Sequence, residues 1–217
     1  ATLESVLAAR PEAVIVATGS VPNRAAIPGG DGPEVADVVD ILSGRVKPGH
    51  RVLIVDRLGF HEATSAAEIL AEQGCEVEVV TPTLYVGQDL GVTLDLENWY
   101  RQARRLGIRC TPNHSVLGID NGVVTALHNY SGQMVRFPKV DTVVLAVHRQ
   151  ADDSLYRALK ADNVRATNLL AQVREVDEGL YQTLKGRVPA LYRIGDCVAP
   201  RRAHAAIIEG ERAGRAV

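Results

Sequence analysis

The segment Arg51–Val80 constrains the fold of this chain more than any other. It opens on a continuous apolar run, Arg51-Val52-Leu53-Ile54-Val55. Runs without polar alternation belong to strands buried on both faces, the condition of a parallel sheet. The next stretch, His61–Gln73, sets Ala63, Ala66, Ala67, Ile69 and Leu70 at helical spacing, and Gly74 stands where a helix end takes a glycine. Glu76–Val80 is a second strand. Parallel strands need a crossover, and ~30 residues is the length of a βαβ unit. The chain is therefore predicted to be an α/β protein with a Rossmann-like doubly wound parallel sheet.

The rest of the chain extends this plan. Thr2–Ala9 reads as a short helix, and Ala13–Ala17 is an apolar strand that exits into Thr18-Gly19-Ser20. Val21–Pro33 is a Pro- and Gly-rich loop, Asp37–Leu42 one or two helical turns, and Lys47-Pro48-Gly49 a linker. Thr93–Leu106 is a helix stopped by Gly107, followed by a short strand over Ile108–Thr111. From Ser115 the period changes to two, with turn signals at Asp120-Asn121-Gly122 and Tyr130-Ser131-Gly132. That is an antiparallel β-meander. Asp141–Val147 returns to a buried strand. A helix over Ser154–Ala161, further short elements, a strand over Leu191–Ile194 and a helix over Arg202–Val217 complete the chain.

Composition narrows the function classes. A net charge of −2 gives no basic surplus for nucleic acid or an anionic membrane. No apolar run reaches the ~18 residues that span a bilayer. The three cysteines, Cys75, Cys110 and Cys197, form no CxxC pair, and the six histidines show no metal-ligand spacing, so no metal site is assigned. Unpaired, widely spaced cysteines suit a reducing cytoplasmic setting. The chain starts at Ala1 rather than Met, and Glu209–Val217 stops within a helical pattern. It is expected to be a fragment of a longer protein; homo-oligomerisation stays open.

Three motifs bear on chemistry. In the first, Val16-Ala17-Thr18-Gly19-Ser20-Val21-Pro22-Asn23, a strand ends in small residues. Gly19 lets the backbone turn close to a ligand and Pro22 stiffens the exit; the alternative is an ordinary strand-to-loop exit. In the second, Tyr192-Arg193-Ile194-Gly195-Asp196-Cys197-Val198-Ala199-Pro200-Arg201-Arg202, a strand runs into Gly-Asp ahead of a helix. Open α/β sheets bind ligands at strand ends of this kind, and free N–H groups there suit a pyrophosphate. Asp196 has the acceptors for ribityl hydroxyls, or it caps the turn; Arg201 and Arg202 either meet phosphate or stay solvated.

The third motif is defined by replacement. A nicotinamide-binding βαβ unit carries G-x-G-x-x-G after its first strand. Here Asp56, Leu58 and His61 take the three glycine positions, and Gly59 lies between them. The second strand ends Val80-Thr81-Pro82, without the acid that holds a ribose. NAD(P)H binding in the usual pose is not expected. His61 is read as a helix-start residue rather than a phosphate ligand, and Trp99 and Tyr100 as packing residues.

VIVATGSVPN, VLIVDRLGFHEATSAAEILAEQGCEVEVVT and YRIGDCVAPRRAHAAIIEGERAGRAV together resemble the C-terminal portion of the Old Yellow Enzyme fusion flavoproteins. That family includes trimethylamine, dimethylamine and histamine dehydrogenases and 2,4-dienoyl-CoA reductases. The resemblance implies a parent flavin-dependent oxidoreductase with an N-terminal TIM barrel holding FMN, a 4Fe–4S cluster and two nested nucleotide-binding domains. It assigns residues 1–48 and 148–217 to a partial FAD- or ADP-binding domain and 49–147 to an inserted NAD(P)-binding-like domain. The cofactor-binding residues it implies are Thr18, Gly19, Pro22, Gly195 and Asp196, with Gly59 left from the second fingerprint. The FAD domain's own G-x-G-x-x-G, the barrel and the cluster cysteines do not occur in this sequence, so the FAD or ADP site is incomplete and no catalytic residue is assigned.

Overall fold

A computed structural model describes residues 1–24, 27–179 and 189–217. The chain forms two compact units, a first made of Ala1–Val21 with Arg149–Val217 and a second, Pro22–His148. In the first unit the described elements are α1 (Leu3–Ala8), β1 (Ala13–Val16), β2 (Ser20–Val21), β11 (Gln150–Ala151), α5 (Ser154–Val176), β12 (Ala190–Arg193) and α6 (Ala203–Ala216). In the second they are β3 (Val35–Asp37), α2 (Val38–Leu42), β4 (Arg51–Asp56), α3 (His61–Glu72), β5 (Glu76–Val80), α4 (Leu96–Leu106), β6 (Arg109–Thr111), β7 (His114–Asp120), β8 (Val123–His128), β9 (Met134–Phe137) and β10 (Thr142–Ala146).

The second unit is built around a parallel sheet of order β3-β10-β4-β5-β6. Period two sorts its apolar side chains onto two faces. Val52 and Ile54 of β4, Val77 and Val79 of β5, and Val144 and Ala146 of β10 meet the helices α2, α3 and α4. Leu53 and Val55, Val80, Val143 and Leu145 point the other way, onto Val116, Ile119, Val124, Ala126 and Phe137 of the meander. This double burial is why the strands read as uninterrupted apolar runs. The order β7-β8-β9 is the antiparallel meander expected from the two turn signals. It forms a layer over the sheet rather than an appendage at its edge.

The boundary lies at Pro22, earlier than the Lys47–Gly49 linker read from sequence. The reason is β3, a three-residue strand too short for a periodic signal. It pairs with β10 and draws residues 35–42 into the second unit. Asp37 then caps α2, its Oδ1 accepting the Val39 N–H at 3.0 Å. Helix α4 starts at Leu96, later than the expected Thr93, because Gln88–Val92 forms a 3-10 turn of its own.

In the first unit β1 and β12 run parallel, with Val16 opposite Arg193. β2 and β11 pair antiparallel. Val16, Leu159 and Cys197 form a small buried cluster with Leu3, Val6, Leu155 and Leu191 packed against it. Helix α5 is 23 residues long and passes well beyond the Ala161 end read from sequence. Beyond Ala161 it leaves Val164 and Leu169 exposed, so these two do not mark a buried face. Asp162, Asn163, Thr167 and Asn168 also lower its local helix preference. The short elements expected before Ala190 fall partly on residues 180–188, outside the described residues.

No helix among the described residues is long and apolar enough to cross a membrane.

Candidate nucleotide-binding sites

The first and second motifs meet in the first unit. Pairing of β1 with β12 brings their carboxyl ends together, and Ile194 N–H continues the ladder to Val16 O at 3.0 Å. Beyond those ends lies a cavity of about 430 Å³. Ala17 and Gly19 line it from the segment just after β1; Ile194, Gly195 and Asp196 from the segment just after β12; Arg201 from ahead of α6, and Ala203 and Ala206 from its first turns. Gly19 has φ +80°, and no atom lies within 4 Å of where its Cβ would stand, so its bare backbone faces open space. Gly195 has φ +66°, and a Cβ on it would stand 3.4 Å from the Ala206 methyl. Both positions therefore suit glycine by backbone conformation.

Asp196 caps the turn that follows it. Its Oδ1 accepts the Arg201 N–H at 3.1 Å, a capping bond, and its Oδ2 accepts the Ser20 hydroxyl at 3.3 Å. It still lines the cavity. Arg149 fixes Ser20 by donating to its hydroxyl and to its carbonyl, each at 3.1 Å. Thr18 donates its hydroxyl to Asp152 O and ties the end of β1 to the chain ahead of α5. It does not line the cavity; its role is to hold the turn. Pro22 opens the second unit, and Gly59 also lies there. Arg202 is the N-cap residue of α6 and makes no side-chain cap bond.

Three contributors to the first site escaped the sequence reading: Ser20, Arg149 and Glu209. Glu209 bonds the Gly195 N–H at 2.7 Å and the Arg201 guanidinium at 2.5 Å. Hydrogen bonds from Arg201 and from Gly195 hold its carboxyl below the usual carboxylate range. A signal existed. Ala203, Ala206 and Glu209 recur every three residues and fall on one helix face.

The second unit carries the replaced fingerprint at the end of β4. Asp56 is fully buried there. Its Oδ1 accepts the Leu58 N–H at 3.0 Å and the Gly59 N–H at 2.8 Å. The Gly87 N–H also favours the carboxylate, but Oδ2 makes no hydrogen bond. Burial is the largest influence and pushes the Asp56 carboxyl above its ordinary range. Asp56 stands at the first glycine position of the fingerprint, where its charge opposes a phosphate. The geometry goes further, because its carboxylate already occupies the amides of the turn. Leu58, at the second glycine position, packs inward against the helix-side core.

A second element covers the same turn. The 3-10 segment Gln88–Val92 is pinned by the Asp89 N–H, which donates to Gly59 O at 2.8 Å. Buried Val86 and Leu90 anchor it, and Tyr100 donates its hydroxyl to Val86 O at 3.2 Å. Burial pushes the Tyr100 hydroxyl up to about 12, so it stays a neutral donor. His61, the first residue of α3, lies 3.4 Å from Asp95 and stacks edge-on with Phe60. Trp99 is buried, with its indole N–H on Thr64 O at 3.3 Å, a packing role as expected. Among the described residues no group of three or more His, Cys, Asp or Glu is placed to hold a metal ion.

A parallel-sheet unit with a meander, joined in sequence to a unit with a Gly-Asp strand end, defines a Rossmann-like scaffold of the flavoprotein type. The chain belongs to the pyridine nucleotide-disulphide oxidoreductase family, whose model matches residues 5–210. It is 34% identical to N,N-dimethylglycine/sarcosine dehydrogenase of Chromohalobacter salexigens, over 94% of this chain and 31% of that protein. It is 30% identical to a probable N-methylproline demethylase of Rhizobium meliloti, over 98% of this chain and 32% of that protein. Among solved structures, the 6-hydroxypseudooxynicotine amine oxidase of Pseudomonas geniculata N1 superposes with a TM-score of 0.81 at 26% identity, covering 99% of this chain and 30% of that one. These relatives agree with the resemblance drawn from the three motifs. The chain spans about a third of the length of the curated relatives it matches.

Proposed function

We propose that this chain is the nucleotide-binding portion of a larger flavin-dependent oxidoreductase, with one usable nucleotide site and one that the protein closes with its own atoms. The first unit, as a partial FAD- or ADP-binding domain, holds the diphosphate and ribose of an adenine nucleotide. The second unit is an NAD(P)-binding-like domain kept as scaffold. Substrate chemistry and FMN belong to an N-terminal TIM-barrel region of the parent and a 4Fe–4S cluster to the part of the parent outside this chain, and no catalytic role is assigned to the residues described.

The observation that carries the reading is the contrast between the two turns. At the first, glycines and alanines surround a cavity of about 430 Å³, within the size range of small-molecule sites. At the second, Asp56 takes the amides that a pyrophosphate would need, and Gln88–Val92 lies on Gly59. The residues at the first turn fit an adenine nucleotide; those at the second do not fit NAD(P)H.

A steric substitution tests the first half. Ala206→Phe puts an aromatic ring into the cavity from α6. Calorimetric titration should then show ADP affinity reduced by at least about tenfold, equivalent to ~1.4 kcal/mol. Undiminished ADP binding to a folded variant would place the nucleotide elsewhere.

A further inference from the structure

The cavity of the first unit contains an internal ion pair that the nucleotide reading leaves without a role. Glu209 projects from α6 and accepts the Gly195 N–H through Oε2 at 2.7 Å. Its Oε1 accepts the Arg201 guanidinium at 2.5 Å. Arg201 lines the cavity beside Gly195 and Asp196, and its side chain is 40% exposed, which leaves it room to turn from one anion to another. A directed backbone N–H and a planar guanidinium converging on one point are the donors that grip a phosphate. In this structure they converge on the protein's own carboxylate.

We propose that Arg201 selects the diphosphate of the nucleotide at this site and that Glu209 is a built-in competitor which the phosphate displaces. The inference rests on the reading of this cavity as a nucleotide site. The Gly195 N–H is a single donor and cannot serve Glu209 and a phosphate fully at once. Arg201 faces the same choice, because its Nη2 already donates to Glu209 and its Nε to the Ala199 carbonyl at 3.0 Å. The Glu209 charge also repels an incoming phosphate. The pair therefore sets a threshold. A ligand with a diphosphate exchanges one strong ion pair for another, a monophosphate does so less fully, and a ligand without phosphate gains nothing from Arg201. Discrimination by phosphate number follows, with ADP ahead of AMP and AMP ahead of adenosine.

The test is calorimetric titration of the 217-residue chain with ADP, AMP and adenosine, alongside Arg201→Gln, Arg201→Lys and Glu209→Gln. Thermal melting confirms that each variant is folded. Arg201→Gln should weaken ADP binding by about tenfold or more and leave adenosine unchanged, because a charge-assisted pair with phosphate is lost. Arg201→Lys keeps the charge but loses the fork, so it should recover part of the loss. Glu209→Gln keeps an acceptor for the Gly195 N–H while releasing Arg201, and should tighten ADP by roughly tenfold without changing adenosine. Unchanged ADP affinity in all three variants would overturn the inference and leave the nucleotide reading standing. Equal losses for ADP and adenosine would make Arg201 a structural residue and also overturn it. Failure of the parent chain to bind any of the three ligands would overturn both.

Discussion

Asp56→Ala is expected to destabilise the second unit by about 2–4 kcal/mol, read as a lowered midpoint in chemical denaturation. The substitution strips an acceptor from the Leu58 and Gly59 amides. An unsatisfied buried amide costs ~1–3 kcal/mol. Asp56→Asn keeps an acceptor at the Oδ1 position and should lose much less. A pH series separates charge from hydrogen bonding. Burial raises the folded-state value of Asp56 above the ordinary 3.8. The folded chain therefore binds this proton more tightly than the unfolded chain. That contribution to stability is complete below the unfolded value and is lost as pH rises through the folded value. Asp56→Asn has no such titration. The stability of the parent chain relative to Asp56→Asn should thus fall as pH climbs from below 3.8 toward neutrality. A relative stability that rises with pH would show that the amides outweigh burial and hold the carboxylate charged.

Gly29→Ala should be costlier still. Gly29 has φ +78°, and a Cβ there would stand 1.9 Å from the Ile119 carbonyl oxygen. The Ile119 N–H bonds Pro28 O at 2.9 Å, so the two backbones are fastened at this crossing and cannot part cheaply. Backbone strain and a main-chain clash add, for an expected loss on the order of 3–5 kcal/mol in equilibrium unfolding. The crossing lays the segment after Pro22 against β7, beside Ile27 and Ile119 of the meander-side core. A loss below about 1 kcal/mol would mean that this crossing is not part of the folded core.

The parts of this fold that could be read from sequence are those whose burial leaves a period. Val52 to Val55 and Val143 to Ala146 are buried on both faces and appear as unbroken apolar runs. The meander alternates because only its sheet-facing side chains are covered. Val35–Asp37 has no length in which to show a period and was missed, although pairing with β10 makes it the sheet's edge. The sequence period of helix α5 stops near Ala161 because Val164 and Leu169 face outward. Around the first cavity, Gly19 and Gly195 were legible because a positive φ at a strand end demands glycine. Glu209 was not, because its role depends on α6 folding back over the end of β12, a contact between residues 14 apart that no local pattern encodes. Asp56 stood between these cases. Its place in the eroded fingerprint was visible, whereas the 3-10 segment that settles on Gly59 was hidden in Gln88–Val92, a stretch with no periodic signal.

The central claim is that one of the two turns accepts a nucleotide and the other is closed by the protein itself. NADH contains an adenine diphosphate and can compete for the first site, so simple binding of NADH does not decide the matter. The deciding measurement is calorimetric titration of NADH into the chain already saturated with ADP. No further binding heat is expected, because the first site is filled and the second is closed by Asp56 and the Gln88–Val92 turn. A second equivalent of NADH binding with micromolar affinity would contradict it, by showing that Asp56 and the Gln88–Val92 turn leave the second site open.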